Sequence, residues 1–200
     1  MQALSFKTML GKASGEFKDR GSRFLAYAFG VKDAADIKVK IAGVKEEHPR
    51  ATHHCIGWRL GTDGTQYRAA DDGEPSGSAG RPILGTIDSF GLTNVLVVVV
   101  RYYGGTMLGV PGLINAYKTA AGAALSTATL ADKAVTRPIK VTFDYPAMGE
   151  VLYILKGAAA EDVVQDLGLF CVITAAVPLA GAEACRAQLA QIRGVEVTGG

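Results

Sequence analysis

The sequence predicts an α+β protein made of two small units, and three observations carry that expectation. Segments with strand character and segments with helical spacing follow one another through about residue 125. The pattern then fails over STATLADKAVTRP (126–138), which reads as the natural linker. Beyond it the order β-α-β-β-α-β occupies about 65 residues, an ordinary size for a small domain. With 48% hydrophobic and 20% charged residues, the chain can build packed cores and has no disorder signature.

The elements follow in order. SRFLAYAFGV (22–31) is an aromatic and apolar strand. Asp33 offers an N-cap, and Ala34, Ile37, Ile41 and Val44 recur at helical spacing until Pro49 stops the helix. HHCIGWRL (53–60) and QYRAA (66–70) flank the turn residues TDGT (62–65) and read as a hairpin. The glycine-rich stretch DDGEPSGSAG (71–80) feeds a short helix, RPILGTIDSF (81–90). VLVVVVRYY (95–103) is β-branched on both faces, as a strand covered on both sides must be. A second glycine-rich loop, GGTMLGVPG (104–112), enters a helix with Pro111 in its first turn. Val110, Leu113, Ile114, Tyr117, Ala121, Ala124 and Leu125 form the buried stripe of that helix. Residues 1–17 are expected as an N-terminal extension, and 18–130 as a βαββ(α)βα domain. Strand 138–144, helix 146–157, strands 161–167 and 169–178, helix 181–192 and strand 194–198 then make 137–200 a ferredoxin-like βαββαβ domain.

Bulk chemistry narrows the function. A net charge of +2 does not announce a nucleic-acid binder, although 15 Lys+Arg against 11 Asp+Glu through residue 130 gives that part +4. Cys55, Cys171 and Cys185 form neither a CxxC nor a disulfide framework, which fits a reducing, cytoplasmic compartment. The run Val95 to Val100 is too short to cross a bilayer, and no export segment is visible.

Two strand-to-helix junctions carry the candidate chemistry. One contains Gly73, Gly77, Gly80 and Arg81; the other contains Arg101, Tyr102, Tyr103, Gly104 and Gly105, with Lys118 one or two turns into the following helix. Glycines let a backbone approach a ligand, and the free amides at a helix start favour an anion. The same glycines serve equally well to shape tight turns. The spacing matches neither a Walker loop nor a dinucleotide fingerprint. Strand alternation sets Arg101 and Tyr103 on one face and Tyr102 on the other.

Asp71, Asp72 and Glu74 argue against a simple phosphate cradle, because three carboxylates repel an anion unless a metal bridges them or they point elsewhere. His53 and His54 with Asp71, Asp72 and Glu74 form the metal alternative, a metal-assisted hydrolase, although adjacent strand residues face opposite ways. The alternative is that the carboxylates cap turns or pair with Arg68 and Arg81. Ser76 and Ser78 have no glycine two residues before them and form no nucleophile elbow. Cys55 reads as a small buried hydrophobe. Lys18, Arg20 and Arg23 are a solvated cluster or a phosphate-contacting edge.

The blocks KDRGSRFLAY (18–27), HHCIGWR (53–59), ADDGEPSGSAGRPIL (70–84) and VVVVRYYGGTMLGVPGLINAYKTA (97–120) resemble the IMPACT/YigZ family over most of residues 18–125. That resemblance implies a first domain with the fold of domain IV of elongation factor G and of a small-subunit ribosomal protein, and a second like domain V of that factor. It also implies binding of RNA or the ribosome, or of a translation-related protein. The eukaryotic relatives are translational regulators that restrain a starvation-responsive kinase through a further N-terminal domain. This chain is expected to lack that domain, so the kinase-pathway role is not carried over. The resulting expectation is a cytoplasmic, monomeric, cofactor-free protein acting in translation or stress, a binding module before an enzyme. A pure protein-interaction module is the remaining alternative.

Overall fold

The computed structural model describes residues 4–168 and 170–199, and the chain divides into two units, Phe6–Lys133 and a second in which the chain up to Ser5 groups with the chain from Ala134 onward. The first unit, Phe6–Lys133, contains β1 (Ser5–Leu10, continuing into the unit), β2 (Lys12–Asp19), β3 (Ser22–Gly30), α1 (Ala34–Glu47), β4 (His53–Leu60), β5 (Gln66–Ala70), α2 (Gly80–Ser89), β6 (Val95–Tyr102), α3 (Gly109–Ser126) and β7 (Thr129–Ala134). Five strands form an antiparallel sheet in the order β2-β3-β6-β4-β5, and β1 pairs with β7 in a separate two-stranded sheet.

The central strand explains the layers. Val95, Val97 and Val99 face α2 and α3, whereas Leu96, Val98 and Val100 face α1, and all six are fully buried. Both faces of β6 therefore need apolar residues, which produces its uninterrupted run. Each such side chain contributes about 1.5–3 kcal/mol of burial.

Two segments differ from expectation. Residues 5–17, expected as part of an N-terminal extension, hold β1 and most of β2. In β2 the inward positions are small or single aromatic residues: Ala13 and Phe17 pack on the core, and Gly15 passes directly under the backbone of Ala123 and Ala124. Such a strand shows little hydrophobic periodicity. The expected linker likewise holds β7, whose residues are nearly all exposed.

The second unit contains β8 (Thr136–Phe143), a 3-10 turn at Tyr145–Ala147, α4 (Met148–Gly157), β9 (Glu161–Leu167), β10 (Cys171–Pro178), α5 (Leu179–Ala190) and β11 (Glu196–Thr198). Its sheet order, β11-β8-β10-β9, is the 4-1-3-2 arrangement of a ferredoxin-like βαββαβ fold. Ile139, Val141, Phe143, Val151, Leu155, Ile173 and Leu189 form its own core. Among the described residues no helix is long and apolar enough to cross a membrane.

Candidate functional site

Sheet register sets the site. His53 on β4 and Phe24 on β3 both lie opposite Arg101 on β6, so the three share the face that carries α2 and α3. Arg101 is only 5% exposed, and its guanidinium lies over the rings of Phe24 and Tyr103, 5.4 Å from each centroid. Its Nη1 donates to Glu74 Oε1 at 2.7 Å and its Nη2 to Ser22 Oγ at 3.4 Å. The same Glu74 oxygen accepts from the Tyr117 hydroxyl on α3 at 2.7 Å, and His53 Nε2 stands 3.8 Å from it. Glu74 thus ties the 71–80 loop to β6 and α3 at once. Around this cluster Pro75, Tyr103, Met107, Leu108, Val110 and Leu113 enclose an apolar-walled cavity of about 340 Å³, with His53, Glu74 and Arg101 as its polar part.

The electrostatics suit a fixed scaffold. Glu74 and Arg101 neutralise each other with side chains only 3% and 6% exposed, so removing one strands the other. Burial, with Cys55 and Glu74 nearby, pushes the Tyr117 phenol far above its ordinary range, so it stays a donor. Burial also pushes the Cys55 thiol up to about 12, and its Sγ–H donates to the Asp71 carbonyl at 3.0 Å. Cys55 is therefore no nucleophile.

The start of α2 is not open to an outside anion. Asp71 Oδ1 accepts from the amides of Ala79 (3.1 Å) and Gly80 (2.8 Å), and Oδ2 accepts from Gly77 (2.8 Å). Burial alone raises the Asp71 pKa, but these amides and the nearby Arg81 charge outweigh it and hold the carboxyl below its usual range. The amide nest is filled by the protein's own carboxylate. By contrast, α3 begins at Gly109 with no side-chain cap, and Leu108, Gly109 and Val110 line the cavity.

Comparison with known proteins locates the site within a family. The Impact N-terminal domain model matches residues 20–125, more than half of the chain. The chain belongs to the IMPACT family. It is 34% identical to the Escherichia coli IMPACT family member YigZ over 86% of this chain and 84% of that protein. It is 38% identical to an IMPACT family member of Thermus thermophilus over 70% of this chain and 75% of that one. A crystal structure described as that of a hypothetical protein superposes with a TM-score of 0.79 at 28% identity, covering 98% of this chain and 97% of the other.

In this IMPACT-family chain the two junctions lie side by side, but their residues divide. His53, Glu74, Arg101 and Tyr103 meet at the cavity. Arg101, expected to hold a phosphate, is instead buried in the pair with Glu74. Tyr102 faces the α1 side, where its hydroxyl is 2.9 Å from His48 Nδ1. Arg23 lies on that same face of β3 and shares the Glu16 carboxylate with Lys18. Arg20 sits at the β2–β3 turn, where φ is +44° at Arg20 and +81° at Gly21, the two-residue turn suited to sheet twist. That tip abuts the second junction: Gly104 donates its amide to Ser22 Oγ at 3.2 Å, and a Cβ on Gly104 would collide with Gly21. Gly73, Gly77 and Gly105 serve left-handed backbone turns. Arg81 and Lys118 are exposed at the first turn of α2 and on the outer face of α3.

The metal alternative meets a geometric obstacle. His54 points away from His53, with Nε2 3.1 Å from the His48 carbonyl. Asp72 accepts from the His54 amide at 2.7 Å, Asp71 caps α2, and Glu74 pairs with Arg101. The five side chains separate into two pairs, His53 with Glu74 and His54 with Asp72, with Asp71 apart, and among the described residues no cluster of three such groups could hold a metal. Ser78 is buried and donates to the Pro75 carbonyl at 2.6 Å. Sequence reasoning missed Tyr117 and Ser22 as site residues, and it placed Val110 and Ile114 in the buried stripe of α3, where both are exposed. Tyr117 was legible only as part of the buried stripe, because a hydroxyl on a core-facing tyrosine gives no sign of which loop it reaches.

Proposed function

We propose that this IMPACT-family protein is a cytoplasmic, translation-linked regulator whose first unit binds single-stranded RNA, in the setting of the ribosome, across the mouth of this cavity. The link to translation rests on the family resemblance, which implies translational regulators among the eukaryotic relatives. One observation carries the RNA reading: Tyr103 is 49% exposed while one side of its ring is backed by the Arg101 guanidinium, which Glu74 in turn holds. A half-open ring on a rigid support is a ready stacking platform for a base. Arg20 at the adjoining hairpin tip, Arg81 on α2 and Lys118 on α3 are exposed cations suited to the strand's phosphates.

Fluorescence anisotropy with a labelled single-stranded RNA decamer tests this. Tyr103→Ala is expected to weaken binding roughly tenfold or more, since a base on an aromatic ring contributes about 1–3 kcal/mol. Equal affinity for wild type and Tyr103→Ala would remove the proposal's main support.

A further inference from the structure

We propose that the cavity behind Tyr103 receives one unstacked base of the bound strand and reads its edge. This deepens the RNA reading and rests on it. Size comes first: about 340 Å³ lies at the small end of ligand pockets, roughly 300–1,000 Å³, which suits a single base better than a stacked pair.

The walls and the polar groups then select the chemistry. Pro75, Leu108, Leu113 and Met107 offer apolar surface to the faces of a planar ring. His53 Nδ1 donates to the Asp72 carbonyl at 2.7 Å, which leaves Nε2 as the ring nitrogen that faces the cavity's polar groups. Nε2 stands 3.8 Å from Glu74 Oε1, too far for a hydrogen bond, so both atoms keep capacity for a ligand's polar edge. Donors stand elsewhere on the lining: the first amides of α3, at Gly109 and Val110, have no side-chain cap. An apolar side chain would leave these groups unpaired, and a bare phosphate would meet hydrocarbon walls and a carboxylate. A nucleobase edge carries donors and acceptors together on a ring with apolar faces, and so satisfies both.

The test compares two labelled probes of equal charge: a random-sequence single-stranded RNA decamer, and an abasic decamer with the same ribose-phosphate backbone. Wild-type protein is expected to bind the base-bearing decamer at least tenfold more tightly. His53→Ala removes the imidazole edge, and Val110→Trp narrows the cavity from an exposed position that leaves the core intact. In both variants the ratio between the two probes should fall toward one, with circular dichroism confirming the fold. Equal binding of both probes by wild type, or a ratio unchanged in both folded variants, overturns the base pocket while leaving RNA binding in place. Failure of wild type to bind either probe overturns the RNA reading and the pocket with it.

Discussion

Glu74 places one buried oxygen against donors from β6 and α3, so its charge matters more than its size. Glu74→Gln should destabilise the fold by about 3–5 kcal/mol in urea unfolding, because Arg101 is left charged and uncompensated. A double variant that also carries Arg101→Met should lose less than the sum of the single losses. A Glu74→Gln protein within about 0.5 kcal/mol of wild type would show that the pair carries no such weight. Asp71 makes a second residue-scale prediction. Asp71→Asn should cost about 1–3 kcal/mol at neutral pH, because its NH2 would replace an oxygen that accepts from a backbone amide. The native Asp71 pKa is lowered, so its contribution is complete above about pH 4 and is lost as the pH falls through the native value. The gap between wild type and Asp71→Asn should therefore narrow in acid unfolding curves; a constant gap would contradict the assignment. At this scale the sequence was partly legible. Three carboxylates in one loop signalled that the loop was no open anion cradle, and alternation separated Tyr102 from Arg101. Which carboxylate capped the helix and which met the arginine depended on loop geometry, and residue type does not encode that.

At the scale of elements, the hairpin tip and the 103–105 loop approach so closely that Gly104 has no room for a side chain. Gly104→Ala should force the β2–β3 tip away from Tyr103 and cost about 1–3 kcal/mol, read as a lowered Tm. An unchanged Tm would mean that the tip yields freely. The strands that carry strong β-branched or aromatic patterns, β3, β4, β6 and β10, were legible, as were the capped α1 and the proline-opened α3. What escaped was β1, β2 and β7, because each buries too little apolar surface to imprint a period of two on the sequence. For the same reason the domain limits shifted outward, from 18–130 to Phe6–Lys133.

For the whole molecule, two separately cored units divide the charge unequally. Phe6–Lys133 has 16 Lys+Arg and 12 Asp+Glu, or +4, and the remaining 5 and 7 give −2. The proposed RNA surface belongs to the basic unit, yet its character comes from a few placed groups and not from that modest excess. Photocrosslinking with single-stranded RNA carrying 4-thiouridine, followed by peptide mapping, addresses the location of binding most directly. Crosslinks should concentrate on peptides containing His53 and residues 103–113. Crosslinks centred on Lys18 and Arg23, on the second unit, or on no part of the chain would contradict the account.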